Sequence, residues 1–106
     1  MSFEIYDLLR SSGGSRQALN PGEYLFHQGE PVHRLHLVLE GEVHLVRFDE
    51  TGSSVILQRT RLGDVVAEAS LFAKTYHCDA VAREGAIVQG IPRGVLRKRF
   101  REEPDT

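Results

Sequence analysis

Four groups of residues have types and spacing that could support chemistry. The first is Gly63-Asp64-Val65-Val66-Ala67-Glu68-Ala69-Ser70-Leu71-Phe72, where a turn leads into a run of helix formers. Free N–H groups at the start of such a turn can face an anion. Glu68 can accept hydrogen bonds from sugar hydroxyls, and the small Ala69 and Ser70 let a ligand approach the backbone. On composition alone the same residues read as a surface turn with a solvated glutamate. The second group is Tyr76-His77-Cys78-Asp79, whose adjacent histidine and cysteine invite a metal or haem. Neighbours on a strand point to opposite faces, however. Cys78 fits better with Ala80 and Ala82 as a small inner face.

The third group is the histidines His27, His33, His36, His44 and His77. A jelly-roll metalloenzyme would need a tight histidine pair followed by a carboxylate such as Glu40. His33 and His36 are separated by two residues, which on a strand puts them on opposite faces. The fourth is the basic set Arg93, Arg97, Lys98, Arg99 and Arg101, of which Arg93, Arg97 and Arg101 share a helix face. They could meet phosphate or an acidic partner. Glu102, Glu103 and Asp105 dilute the charge, so a solvated face near a helix C-terminus explains the set equally. No nucleophile–base signature, P-loop or dinucleotide fingerprint occurs. No metal site and no enzyme activity is expected.

These residues must be positioned by one small domain. The chain has 106 residues, enough for a single modest core. A net charge of −2 offers no general field for nucleic acid. No apolar run is long enough to span a membrane. The single cysteine excludes an intrachain disulfide and a four-cysteine cluster, and suits a cytoplasmic setting.

Ser2–Arg10 reads as a short helix ended by Ser11-Ser12-Gly13-Gly14-Ser15. Leu35–Leu39, Val43–Phe48, Ser54–Thr60, Tyr76–Arg83 and Ala86–Ile91 read as strands, with Glu23–His27 as a further short segment between turns. Pro92 suits the first position of a helix striped by Ile91, Val95, Leu96 and Phe100 and ended by Pro104. The expected architecture is mainly β: one domain over residues 1–106, with an N-terminal helix and turn (1–15), a β-barrel (16–91) and a C-terminal helix (92–103).

Three segments together resemble the cyclic-nucleotide-binding domain of bacterial catabolite-activator and fumarate–nitrate-regulator (Crp/Fnr) transcription regulators. They are Pro21–Pro31, Leu35–Leu45 with its Glu40-Gly41-Glu42-Val43 bend, and Gly63–Phe72, which is similar to the family's phosphate-binding cassette. The resemblance implies an eight-stranded jelly-roll (double-stranded β-helix) with short flanking helices and a sensor function. It also implies cassette-like binding positions at Gly63, Val66, Ala67, Glu68, Ala69, Ser70, His77 and Cys78. Glu68 matches the glutamate that holds the ribose hydroxyl, and Ala67 stands where many members have glycine.

The family's phosphate-pairing arginine falls at His77 or Cys78, and neither is arginine. A neutral thiol makes no charge-assisted contact. If Asp79 faced the site, its repulsion at about 4 Å would be on the order of 1–4 kcal/mol. Weak or absent cyclic AMP binding is therefore expected. Cyclic nucleotide and haem, the latter through His77 or Cys78, remain open as cofactors. The implied partners are a small-molecule effector, a second copy in a homodimer, and DNA through a C-terminal domain that this chain lacks. A barrel that kept its shape as a protein-interaction module is the alternative reading.

Overall fold

A computed structural model describes residues 10–11 and 14–102, with side chains described as far as residue 98. The predicted N-terminal helix lies almost wholly outside the described residues; Arg10 and Ser11 are helical. Eight strands follow: β1 (Arg16–Leu19), β2 (Tyr24–Phe26), β3 (Arg34–Glu40), β4 (Val43–Phe48), β5 (Ser54–Thr60), β6 (Val65–Val66), β7 (Asp79–Ala82) and β8 (Ala86–Pro92). A short 3-10 helix (Glu68–Phe72) sits between β6 and β7, and helix α1 (Arg93–Glu102) closes the described chain.

The strands form two antiparallel four-stranded sheets, ordered β1-β8-β3-β6 and β2-β7-β4-β5. One core joins them, with Leu35, Leu37, Val88 and Ile91 from the first and Val43, Leu45, Ala80 and Ala82 from the second. This is the expected jelly-roll architecture, but the expected barrel is not closed. The edge strands β6 and β2 span two and three residues, too short to carry a ladder from one sheet to the other.

Local chemistry explains most elements. β4 and β5 are joined by a loop in which Asp49 Oδ1 accepts from the N–H groups of Thr51 and Ser53 and from the Thr51 hydroxyl. Thr60, fully buried, donates its hydroxyl to the Val43 carbonyl across the same hairpin. β3 departs from simple alternation: Leu35, His36, Leu37 and Val38 are all buried. β3 and β8 are the central strands of their sheet, and α1 packs against β8 and the 3-10 helix. Pro92 ends β8 instead of starting the helix, which begins at Arg93. The strand predicted from Tyr76 begins only at Asp79, because Tyr76 is held in a loop. There its N–H donates to Glu30 and its carbonyl accepts from Gly29.

Candidate functional site

The cassette-like segment is built as a sharp corner. Gly63 donates to the Val38 carbonyl, and Val65 and Val66 pair with Leu37 and His36. Ala67 then adopts a left-handed conformation (φ 55°, ψ 47°), and the chain turns into the 3-10 helix. This conformation is costly for a residue with a Cβ and natural for glycine. It gives a physical reason for the glycine that the resembling family has there.

Behind the corner lies an open cavity of about 530 Å³. Of the eight cassette-like positions, the fold brings six around it: Ala67, Glu68, Ala69, Ser70, His77 and Cys78. Two do not line it. Val66 is fully buried in the core, and Gly63 serves the turn. The cavity's other wall comes from the β4–β5 hairpin and went unnoticed in the sequence: Leu45, Arg47, Leu57 and Gln58. Leu45 and Arg47 share a face of β4, a period-two signal visible in the sequence. Leu57 reaches the cavity through a bulge. Leu45 pairs with Gln58 and Val46 with Ile56, so Leu57 is the extra residue.

The electrostatics of the cavity differ from those expected. Glu68 is exposed, and its carboxylate has no hydrogen-bond or ion-pair partner among the described residues. Cys78 is buried, and desolvation raises its thiol pKa, which Arg47 partly offsets. It lies with Ala80 and Ala82 on a buried small-residue face, as expected. Asp79 turns the other way: its carboxylate accepts from the Gln28 N–H at 2.6 Å and lies 3.7 Å from His27 Nδ1. Asp79 is not among the residues lining the cavity, so its carboxylate does not face a ligand there directly. Arg47 brings a cation instead. Its Nη2 donates to the His77 carbonyl at 2.9 Å.

The other chemical groups separate. The ring of His36 is buried with Nδ1 unpartnered, and His44 Nε2 meets Glu42 Oε1 at 2.5 Å. Arg61 Nε lies 3.4 Å from the same carboxylate, and these partners, His44 first, lower the Glu42 pKa. Among the described residues no group of three histidine, cysteine or acidic side chains converges on a metal position. The basic set is more than a solvated face. Arg93 Nη1 donates to the Ala73 carbonyl and Arg97 Nε to the Leu71 carbonyl, while the Arg97 guanidinium lies 5.5 Å from the centre of the Phe72 ring. Arg99 and Arg101 lie beyond the described side chains. No described helix is long and apolar enough to cross a membrane.

The family profile described as the cyclic nucleotide-binding domain matches residues 16–103. Among solved structures, the chain is similar to a regulatory protein from Silicibacter pomeroyi DSS-3 (30% identity, TM-score 0.79, covering 98% of this chain and 48% of that one). It is similar to the N-terminal domain of a transcriptional regulator from Streptomyces coelicolor A3(2) (28%, TM-score 0.75, covering 98% and 73%). It is also similar to the catabolite activator protein of Thermus thermophilus (27%, TM-score 0.77, covering 96% and 48%). The chain thus spans about half the length of the Silicibacter and Thermus proteins. No curated protein matches it.

Proposed function

The chain belongs to the cyclic nucleotide-binding domain family, and from that premise we propose that it is the effector-sensing domain of a cytoplasmic transcription regulator. The observation that carries the reading is the cavity between the cassette corner and the β4–β5 hairpin, with an unpartnered Glu68 carboxylate at its wall. A carboxylate there can accept the ribose 2′-hydroxyl, the one free hydroxyl of a 3′,5′-cyclic nucleotide. Ala69, small and exposed beside it, lets a ligand approach closely. The protein is a binding domain and not an enzyme. DNA would be engaged through a further domain, in a homodimer.

Calorimetric titration with cyclic AMP and cyclic GMP tests this reading. With the Arg47 cation at the cavity in place of the arginine absent from positions 77 and 78, saturable binding that weakens in Glu68→Gln is the expected result. Binding unaffected by that change would refute it. A second reading, a protein-interaction module, is favoured by the exposed apolar side chains of Val55, Ile56 and Leu57 on the edge strand β5. A titration with no nucleotide binding, together with saturable association through β5 that Ile56→Asp abolishes, would favour that second reading.

A further inference from the structure

We propose that Arg47 on β4 holds the anionic group of the effector, so that the cation of this pocket comes from the strand facing position 78 and not from the cassette. The proposal rests on the pocket reading above and goes beyond it by naming the residue and the charge of the ligand it selects.

Strand register carries the argument. Leu45 pairs with Ala80 and Val46 with Asp79. Continuing that antiparallel register by one residue sets Arg47 across from Cys78, where cross-strand neighbours have Cβ atoms about 4.5–5.5 Å apart. The family's arginine falls at position 77 or 78. The positive charge absent there is present on the opposing strand, one cross-strand step away.

The orientation of Arg47 is fixed by structure. It lies on the same face of β4 as Leu45, and both residues line the cavity with His77 and Cys78. Its Nη2 donates to the His77 main-chain carbonyl at 2.9 Å. That bond uses one of the five N–H donors of a guanidinium and leaves an edge for a bidentate contact. No carboxylate pairs with Arg47 among the described residues, and Asp79 is occupied by the Gln28 N–H on the other side of the strand. The cation is therefore uncompensated at a cavity that also contains Glu68. The two charges suit a ligand with a hydroxyl at one end and an anion, such as a phosphodiester, at the other.

The test compares cyclic AMP with adenosine, which shares the ribose 2′-hydroxyl and lacks the phosphate. Each is titrated calorimetrically against the wild-type protein, Arg47→Gln, Glu68→Gln and the double variant Arg47→Gln/Cys78→Arg. The wild type should prefer cyclic AMP by about 10- to 100-fold, the range of a charged hydrogen bond. Arg47→Gln should remove that preference by weakening cyclic AMP far more than adenosine, and Cys78→Arg should restore it from the family's position. Glu68→Gln should weaken both ligands alike.

A preference that survives Arg47→Gln, with both ligands still sensitive to Glu68→Gln, overturns the role of Arg47 and leaves the pocket standing. Failure of both ligands to bind the wild type, or binding indifferent to Glu68→Gln, overturns the pocket and the Arg47 role together. Arg47 is exposed, so the melting temperature of Arg47→Gln should match the wild type, and that match confirms that lost preference reflects lost charge.

Discussion

Replacing Gly41 with alanine should cost far more stability than replacing Gly22 in the same way, although both have positive φ. Gly41 joins β3 to β4 at φ 77°, and Gly22 sits in the turn before β2 at φ 84°. For either position a Cβ in the left-handed region costs about 1–2 kcal/mol. The stiffer unfolded chain returns about 0.4–1 kcal/mol. Gly22→Ala should therefore lose on the order of 1 kcal/mol or less, because a Cβ there meets nothing within 4 Å.

At Gly41 a Cβ would lie 2.2 Å from the Gly85 carbonyl oxygen and 2.8 Å from the Ala86 Cα. Both are main-chain atoms of the β7–β8 turn, so no side chain can swing aside. The turn must shift by about 1 Å, and an overpacking cost of about 1–3 kcal/mol adds to the conformational one. The loss at Gly41 should thus reach about 2–4 kcal/mol, a large part of the roughly 5–15 kcal/mol that holds a domain folded. Urea unfolding of the two variants and the wild type measures it, with an unchanged m-value expected for each. Equal losses at the two positions would refute the steric argument and leave only backbone conformation.

Acid should destabilise the protein through His36, beginning near pH 6.5 where carboxylates are still ionised. Burial, assisted by the Arg34 cation, holds the His36 pKa down at about 4. Between pH 6.5 and 4 the unfolded chain then binds a proton that the folded one refuses. This contribution to stability is complete above pH 6.5 and falls by about 3 kcal/mol down to pH 4. Unfolding free energies measured across that window should lose their slope in His36→Leu, and a slope that persists would assign it to other groups. Thr60→Val keeps the shape of a buried side chain but removes its bond to the Val43 carbonyl; a loss of about 1 kcal/mol is expected in denaturant titration, and a neutral result would contradict the assigned bond. Cys78 should alkylate slowly at pH 8 because burial raises its pKa, and slower still in Arg47→Gln, which removes a nearby cation; faster alkylation in that variant would place the cation elsewhere.

The sequence showed one wall of the site and hid the other. Ala67 to Ser70 are contiguous, so turn chemistry and small side chains mark them without knowledge of the fold. Arg47 and His77 are thirty positions apart in the chain, and only the pairing of β4 with β7 makes them neighbours. The direction of Asp79 was likewise open until register placed its carboxylate against Gln28. The bulge at Leu57 follows from strand pairing and leaves no local mark in a run of apolar residues. β1 was missed because Arg16-Gln17-Ala18 is exposed and lacks an apolar rhythm; its partner β8 supplies the ladder that makes it a strand.

Arg93 and Arg97 hold the cassette through the main-chain oxygens of Ala73 and Leu71. A main-chain oxygen is present whatever residue occupies the position. Residues 71 and 73 can therefore change, within the limits of packing, without removing either acceptor. Positions 93 and 97 have no such freedom, because the donors are the side chains themselves. The linkage between cassette and terminal helix is thus encoded almost entirely on the helix side. The segment that lines the cavity can diversify its chemistry while its mechanical attachment to α1 stays in place.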